Sequence, residues 1–292
     1  MYGVDTHHHG RETMRVDNNS GVDGIPTISL ALDSPELAVL YDEAGLHQFE
    51  HGKQLIGALD IRPGQKVLDI GAGTGRLAMY VGGLVGPSGR VVGIDPLRTR
   101  IEIARSRAQG CFEARLGRAE DLSEFSDASF DVVYLNSVFH WVKDKFRALR
   151  EISRVLKPSG RLGISCQDPT RPLEVWHFIS QALSGLALAP NSPLACPSLG
   201  ISADELQAQA ITAGFVECAC ESRTFVDAFP NVEALMGWVS SSTFGNFLVD
   251  VVPADRLRVR EKLGQLLQPK LALDGIRLER HLIFATARKC WR

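Results

Sequence analysis

The run Val67-Leu68-Asp69-Ile70-Gly71-Ala72-Gly73-Thr74-Gly75 limits what this chain can fold into more than any other feature. A short apolar stretch ends in three glycines at alternate positions and passes directly into a helical pattern from Arg76. Glycines so placed let the backbone approach a ligand closely, and the free amides of the helix start face the same space. A strand, a glycine turn and a helix in that order belong to an open sheet of parallel strands. Such sheets bind their ligands at the carboxyl ends of the strands.

The pattern then repeats. Residues 66–70, 90–94, 113–116, 130–135 and 161–166 read as strands, the fourth almost wholly apolar as a central parallel strand should be. Residues 76–84, 97–108 and 145–156 read as helices between them, the last stopped by Pro158 and Gly160. This rhythm with short loops predicts an α/β fold with a Rossmann-like, doubly wound, seven-stranded sheet. Residues 1–33 show no periodicity, hold His7, His8 and His9, and read as a disordered tail. An N-terminal helical cap follows over 34–60, where Ser34 suits an N-cap and Pro35 the first helical position. Residues 61–292 complete the main domain. Its last third holds helical patterns over 175–188 and 203–213 and strands over 216–225 and 276–287. The two strands are expected to form an antiparallel hairpin, with a helical lid inserted between them at about 229–270.

Asp95 ends the second strand, where a carboxylate can accept hydrogen bonds from both hydroxyls of a ribose. A dinucleotide-binding loop would read G-x-G-x-x-G; here the order is G-x-G-x-G followed by Arg76. Three further segments narrow the choice: Gly117-Arg118-Ala119-Glu120-Asp121-Leu122, Ser129-Phe130-Asp131-Val132-Val133, and the run from Arg154 through Leu156, Pro158 and Gly160 to Leu162. In this order and spacing they resemble the class I S-adenosylmethionine-dependent methyltransferases, over roughly residues 60–168. The resemblance implies S-adenosyl-L-methionine as cofactor. It makes Gly71, Ala72, Gly73, Thr74 and Gly75 the cofactor loop, Asp95 the ribose ligand, and Pro96, Leu97, Ala119 and Glu120 the adenine edge. Asn136 and Ser137 would lie under the methionine end. Asp69 is expected to hold the loop amides, with direct cofactor contact the alternative. Tyr41 and Gln48, on the cap, would reach the methionine carboxylate.

Hydrophobic residues make up 45% and charged ones 23% of the 292 residues, and the net charge of −2 supplies no basic field for nucleic acid. No apolar stretch is long enough to span a bilayer and no signal peptide is visible, so a cytoplasmic protein is expected, a monomer or weak dimer, without membrane or nucleic-acid partners. The six cysteines are scattered without metal-ligand spacing, and no metal site is expected. The partner is therefore a small hydrophobic acceptor. His140 could act as a base or as a wall of the acceptor site, beside Trp141, His51, Trp176, Trp238 and Phe244.

The stretch from Tyr41 to Ser165 is similar to the ubiquinone/menaquinone-biosynthesis-type methyltransferases, and the whole layout to fungal members of the gliotoxin bis-thiomethyltransferase type. That likeness implies S-methylation of a reduced dithiol-diketopiperazine in secondary metabolism. A thiol near its own pKa needs little help from a base. O- or C-methylation of a secondary metabolite or quinone precursor is the alternative, and a cofactor-binding regulator without turnover is a reading of another class. The arsenite methyltransferases, also related, place a cysteine before the glycine loop, whereas the first cysteine here is Cys111.

Overall fold

The computed structural model describes residues 29–188 and 199–291. The three histidines and the tail over 1–28, and residues 189–198 of the proline-rich stretch, lie outside them. In chain order the elements are α1 (Pro35–Ala44), α2 (Leu46–Ala58), β1 (Lys66–Ile70), α3 (Arg76–Val85), β2 (Arg90–Asp95), α4 (Arg98–Arg107), β3 (Phe112–Leu116), β4 (Phe130–Asn136), α5 (Lys145–Val155), β5 (Leu156–Gln167), α6 (Glu174–Gly185), α7 (Ala203–Thr212), β6 (Phe215–Phe229), α8 (Val232–Ser242), α9 (Pro253–Leu266), β7 (Leu271–Ala272) and β8 (Gly275–Lys289).

The sheet order is β3-β2-β1-β4-β5-β8-β6, with β7 paired to β8. β1 to β5 run parallel and β8 lies antiparallel between β5 and β6. This is the expected doubly wound sheet with its terminal hairpin; the strand beyond the expected seven is β7, a two-residue turn-back on β8. Two apolar layers flank it. Leu68, Ile70, Val133 and Leu135 pack toward α5 and α7, while Val67, Val132 and Tyr134 pack toward α2, α3 and α4. That alternation is the two-residue period of a strand buried on both faces. No helix among the described residues is long and apolar enough to cross a membrane.

Three differences from the expected layout bear on the site. Within the stretch expected as tail, Leu30–Leu32 forms a 3-10 turn and the Asp33 carboxylate is buried against Arg100 at 3.0 Å. The ion pair fixes that end. Within the cap, Ser34 does accept from the Leu37 amide, and α1 stands over the cleft; α2 reaches it through Gln48 and packs its Leu55 and Ile56 onto the sheet. The lid also recruits α6, whose Val175, Ile179 and Leu183 share a core with α8 and α9.

A further difference concerns length. β6 continues four residues past Phe225, pairing with β8 as far as Phe229 and Ile276, whereas β5 stops at the Gln167–Leu282 pair. The hairpin therefore overruns the sheet as a two-stranded ribbon at the mouth of the cleft. Phe225, Asp227 and Phe229 face the same side as Arg280, Leu278 and Ile276, and Asp227 and Arg280 are buried there.

Candidate functional site

At the carboxyl ends of β1, β2 and β4, under α1 and α8, lies a cavity of about 470 Å³. Its loop wall is shaped by glycine. Gly71 has φ +77°, and a Cβ there would lie 2.3 Å from the Val138 side chain. A Cβ on Gly73, at φ +55°, would press on the Tyr41 ring at 3.2 Å. The amides of Gly71 and Ala72 both donate to the Ile94 carbonyl, which ties the turn to β2. Asp95 completes the cradle: one oxygen accepts from the Gly73 amide at 3.0 Å and the other from the Leu97 amide at 2.9 Å. Burial raises its pKa, opposed by Arg100 and by those amides.

Fifteen of the expected residues line this one cavity: Tyr41, Gln48, Gly71, Gly73, Asp95, Pro96, Leu97, Ala119, Glu120, Ser137, His140, Trp141, Trp176, Trp238 and Phe244. Pro96, Leu97, Ala119 and Glu120 wall one end, with the Glu120 carboxylate accepting from the Lys143 amide. Ser137 sits at the tip of β4 in a left-handed conformation, φ +57°, and its Oγ is buried without a partner among the described residues.

The remaining six lie elsewhere, each for a physical reason. Asp69 shares its strand parity with Val67, so it points into the α2 side, and the Tyr134 hydroxyl donates to it at 2.7 Å. The loop amides it was expected to hold are taken by Ile94 and Asp95. Thr74 donates to Asp42 on α1 at 2.6 Å. Gly75 packs backbone against Phe112 and Ala104, and Ala72 borders, with Asp69, Thr74 and Asn136, a small side pocket that shares Tyr41, Gln48 and Gly71 with the main cavity. Asn136 is spent on structure, donating to the Gln48 carbonyl and accepting from Ser165. His51 is buried away from the cavity, between Phe225 and Asp227.

Gln48 touches the cavity edge, but α8 occupies its amide: Trp238 Nε1 donates to its carbonyl at 3.1 Å and its nitrogen donates to Ser242. His140 is poorly suited to the base role considered for it. Burial, with the Arg280 and Lys145 charges nearby, brings its pKa down to about 3. The Gln167 amide donates to its Nδ1 at 3.3 Å, so the neutral ring carries its hydrogen on Nε2 and presents a donor.

Residues 68–164 match the family described as a methyltransferase domain. The chain is 31% identical over 247 residues to nocamycin O-methyltransferase of Saccharothrix syringae, an alignment covering 78% of this chain and 86% of that one. This chain is a class I S-adenosylmethionine-dependent methyltransferase. It is also 37% identical over 143 residues to the ubiquinone/menaquinone biosynthesis C-methyltransferase of Hahella chejuensis, covering 45% of this chain and 57% of that relative. The YcgJ protein of Bacillus subtilis shares the fold, with a TM-score of 0.56 at 22% identity over 84% of this chain and 98% of that one.

The methyltransferase's cleft fits its cofactor: a glycine cradle and the Asp95 carboxylate at the tip of β2 stand along one wall. Asp95→Ala should weaken S-adenosylmethionine binding by about 1–3 kcal/mol, read by calorimetry, through loss of charge-assisted hydrogen bonds. Unchanged affinity would refute the ribose assignment.

Four residues around the cleft escaped the sequence reading. Asp42 pairs with Arg107 at 2.8 Å while accepting from Thr74, latching α1 over the glycine loop. Arg100, only 3% exposed, pairs with Asp33, donates to the Ser241 carbonyl at 2.6 Å and lies against the faces of Tyr41 and Phe244. Asp227 and Arg280 pair at 3.4 Å in the ribbon. Burial would raise the Asp227 pKa, but the His51 hydrogen bond and the Arg280 charge hold it below its ordinary value. A signal for this last pair was available: Asp227 and Arg280 occupy the apolar parity of their strands.

Asp69 gives a pH prediction. Burial lifts its pKa to about 7, against the hydrogen bond from Tyr134. The folded state thus holds a proton that the unfolded chain releases near pH 4, and stability falls as pH rises from about 4 to 7. Asp69→Asn should stabilise the cofactor-free protein above pH 7, by as much as ~4 kcal/mol, and much less at pH 5. Thermal unfolding at pH 5 and pH 8 checks this; an equal change at both would sink it.

Proposed function

We propose that the enzyme methylates an oxygen of a small, flat, hydrophobic acceptor that binds as its conjugate base. The observation that carries this reading is His140. It is the one histidine lining the cavity among the described residues, and its geometry makes it a hydrogen-bond donor. The acidic side chains on the wall are already engaged, Asp95 by the Gly73 and Leu97 amides and Glu120 by the Lys143 amide. With His140 presenting a donor and the carboxylates holding backbone amides, this wall suits an acceptor that brings its own anion. Trp141, Trp176, Trp238 and Phe244 suit a planar apolar body.

S-adenosylmethionine supplies an electrophilic methyl on a sulfonium, and an anionic acceptor neutralises that charge without releasing a proton. The chain's own task is to align and to exclude water, a task suited to the aromatic walls Trp141, Trp176, Trp238 and Phe244. The nocamycin enzyme, by its name an O-methyltransferase, aligns along most of the chain and supports oxygen as the accepting atom. S-methylation of a reduced dithiol-diketopiperazine, the gliotoxin-type reaction, is the second reading, because a thiolate also needs no base.

The test incubates protein and S-adenosylmethionine with an acidic planar enol, reduced gliotoxin and a quinol precursor, and locates the methyl by mass spectrometry. Methyl on oxygen is expected. Methyl on sulfur alone overturns the oxygen reading for the thiol one. Cofactor binding without any product would favour a regulator.

A further inference from the structure

Arg280 stands apart from the cofactor loop, and the protein satisfies only part of its guanidinium. It lies opposite Phe225 on the ribbon, just past the end of β5. In the sheet order, β8 is three strands from β1, which carries the glycine loop; ordinary strand spacing makes that about 14 Å. The side chain is buried, lines the cavity and rests on the Trp238 ring, 4.6 Å from its centre.

Its partners account for one nitrogen. Nη1 lies 3.4 Å from Asp227 Oδ2 and 3.5 Å from His51 Nδ1. His51 Nε2 lies 3.0 Å from Asp227 Oδ1, and desolvation lowers the His51 pKa, so the ring is neutral and donates from Nε2. His51 and Asp227 thus hold the guanidinium from behind, with His47 supporting Asp227 at 3.5 Å. Nε and Nη2 find no acceptor among the described residues, and neither is sealed from the cavity. His140, another donor, lines the same cavity. A fixed guanidinium with free N–H edges and an aromatic floor is suited to a planar oxyanion.

We propose that Arg280 receives an anionic oxygen of the methyl acceptor, a carboxylate or acidic enolate on a flat apolar body, and so selects ionised acceptors over neutral ones. This rests on reading the cleft as the site of an ionised acceptor. The other available carboxylate belongs to the cofactor's methionine end; the distance of β8 from the glycine loop favours the acceptor.

Calorimetry on the protein saturated with S-adenosylhomocysteine, using 2-naphthoate and its neutral isostere 2-naphthamide as probes, tests this. The wild type should prefer naphthoate by about tenfold or more, the effect of one charge-assisted pair. R280Q should lose the preference while S-adenosylhomocysteine affinity stays within about twofold. R280K, which keeps the charge and the ring contact but not the fork, should fold and show a reduced preference. Equal binding of the probes by the wild type, or a preference undiminished in both variants, overturns the proposal. A loss of S-adenosylhomocysteine affinity in R280Q also overturns it, assigning the guanidinium to the cofactor carboxylate. Wild-type methylation of a neutral acceptor with no naphthoate preference would remove this proposal and leave methyl transfer to a small acceptor standing. A naphthoate preference without oxygen methylation would do the reverse.

Discussion

Gly71→Ala should reduce S-adenosylmethionine affinity by about 100-fold, the equivalent of about 3 kcal/mol, and methyl transfer with it. Two costs combine. Alanine in a left-handed conformation costs about 1–2 kcal/mol, and Gly71 has φ +77°. Its Cβ would also stand 2.3 Å from Val138 Cγ2, and Val138 is branched at Cβ and packed against the sheet core. The loop can relieve both only by giving up the turn held on the Ile94 carbonyl, so the loss falls on the cofactor cradle while the cores on either face of the sheet stay intact. Gly83→Ala on α3 is the matched control: nothing lies within 4 Å of its Cβ position, and alanine there should be neutral or stabilising by about 0.5–1 kcal/mol. Calorimetry and thermal unfolding of the two variants check the pair. A Gly71→Ala protein that binds like the wild type would refute this account of the loop.

Arg100→Met should destabilise the protein by about 3–5 kcal/mol, the usual effect of removing one member of a buried ion pair. Arg100 joins four segments: Asp33 ahead of the cap, Tyr41 on α1, and Ser241 and Phe244 at the end of α8, all from its own place on α4. Methionine would keep much of the volume but leave the Asp33 carboxylate, itself 2% exposed, without its countercharge. The lid should loosen as well, since Tyr41 and Phe244 are both cavity walls. Denaturant unfolding gives the stability change, and limited proteolysis within α8 reports the loosening. The double variant Arg100→Met with Asp33→Leu should recover most of the stability, because replacing both charges removes the uncompensated one. A double variant no better than the single would show that the aromatic contacts, and not the ion pair, carry the effect.

What could be read from the sequence was local. β1, β2, β4 and the helices between them follow from apolar runs and glycine or proline boundaries a few residues apart. The positions along the cofactor wall, Asp95 to Leu97 and Ala119 to Glu120, are set by strand ends and so came with them. What escaped depends on contacts made between distant segments. His51 has the right spacing to face the cleft, but its direction is decided by Phe225 and Asp227, more than 170 residues later. Asp69 was misdirected because its side follows strand parity, and the tyrosine that satisfies it, Tyr134, lies on a neighbouring strand. The role of His140 turned on which nitrogen meets the Gln167 amide, a detail no spacing encodes. β6 was cut short at Phe225 because Asp227 interrupts the apolar alternation that marks a strand, whereas β8 was read through Arg280 from Ile276. Asp227 interrupts it because it pairs with Arg280 across the ribbon.

The latch of Asp42 has a mechanical consequence. One carboxylate holds Thr74 of the glycine loop and Arg107 of α4, and the same helix lays Tyr41 against Gly73. Roof, loop and outer helix are thus tied at a single point, so that the donor compartment is braced from outside the sheet by a group that does not itself line it.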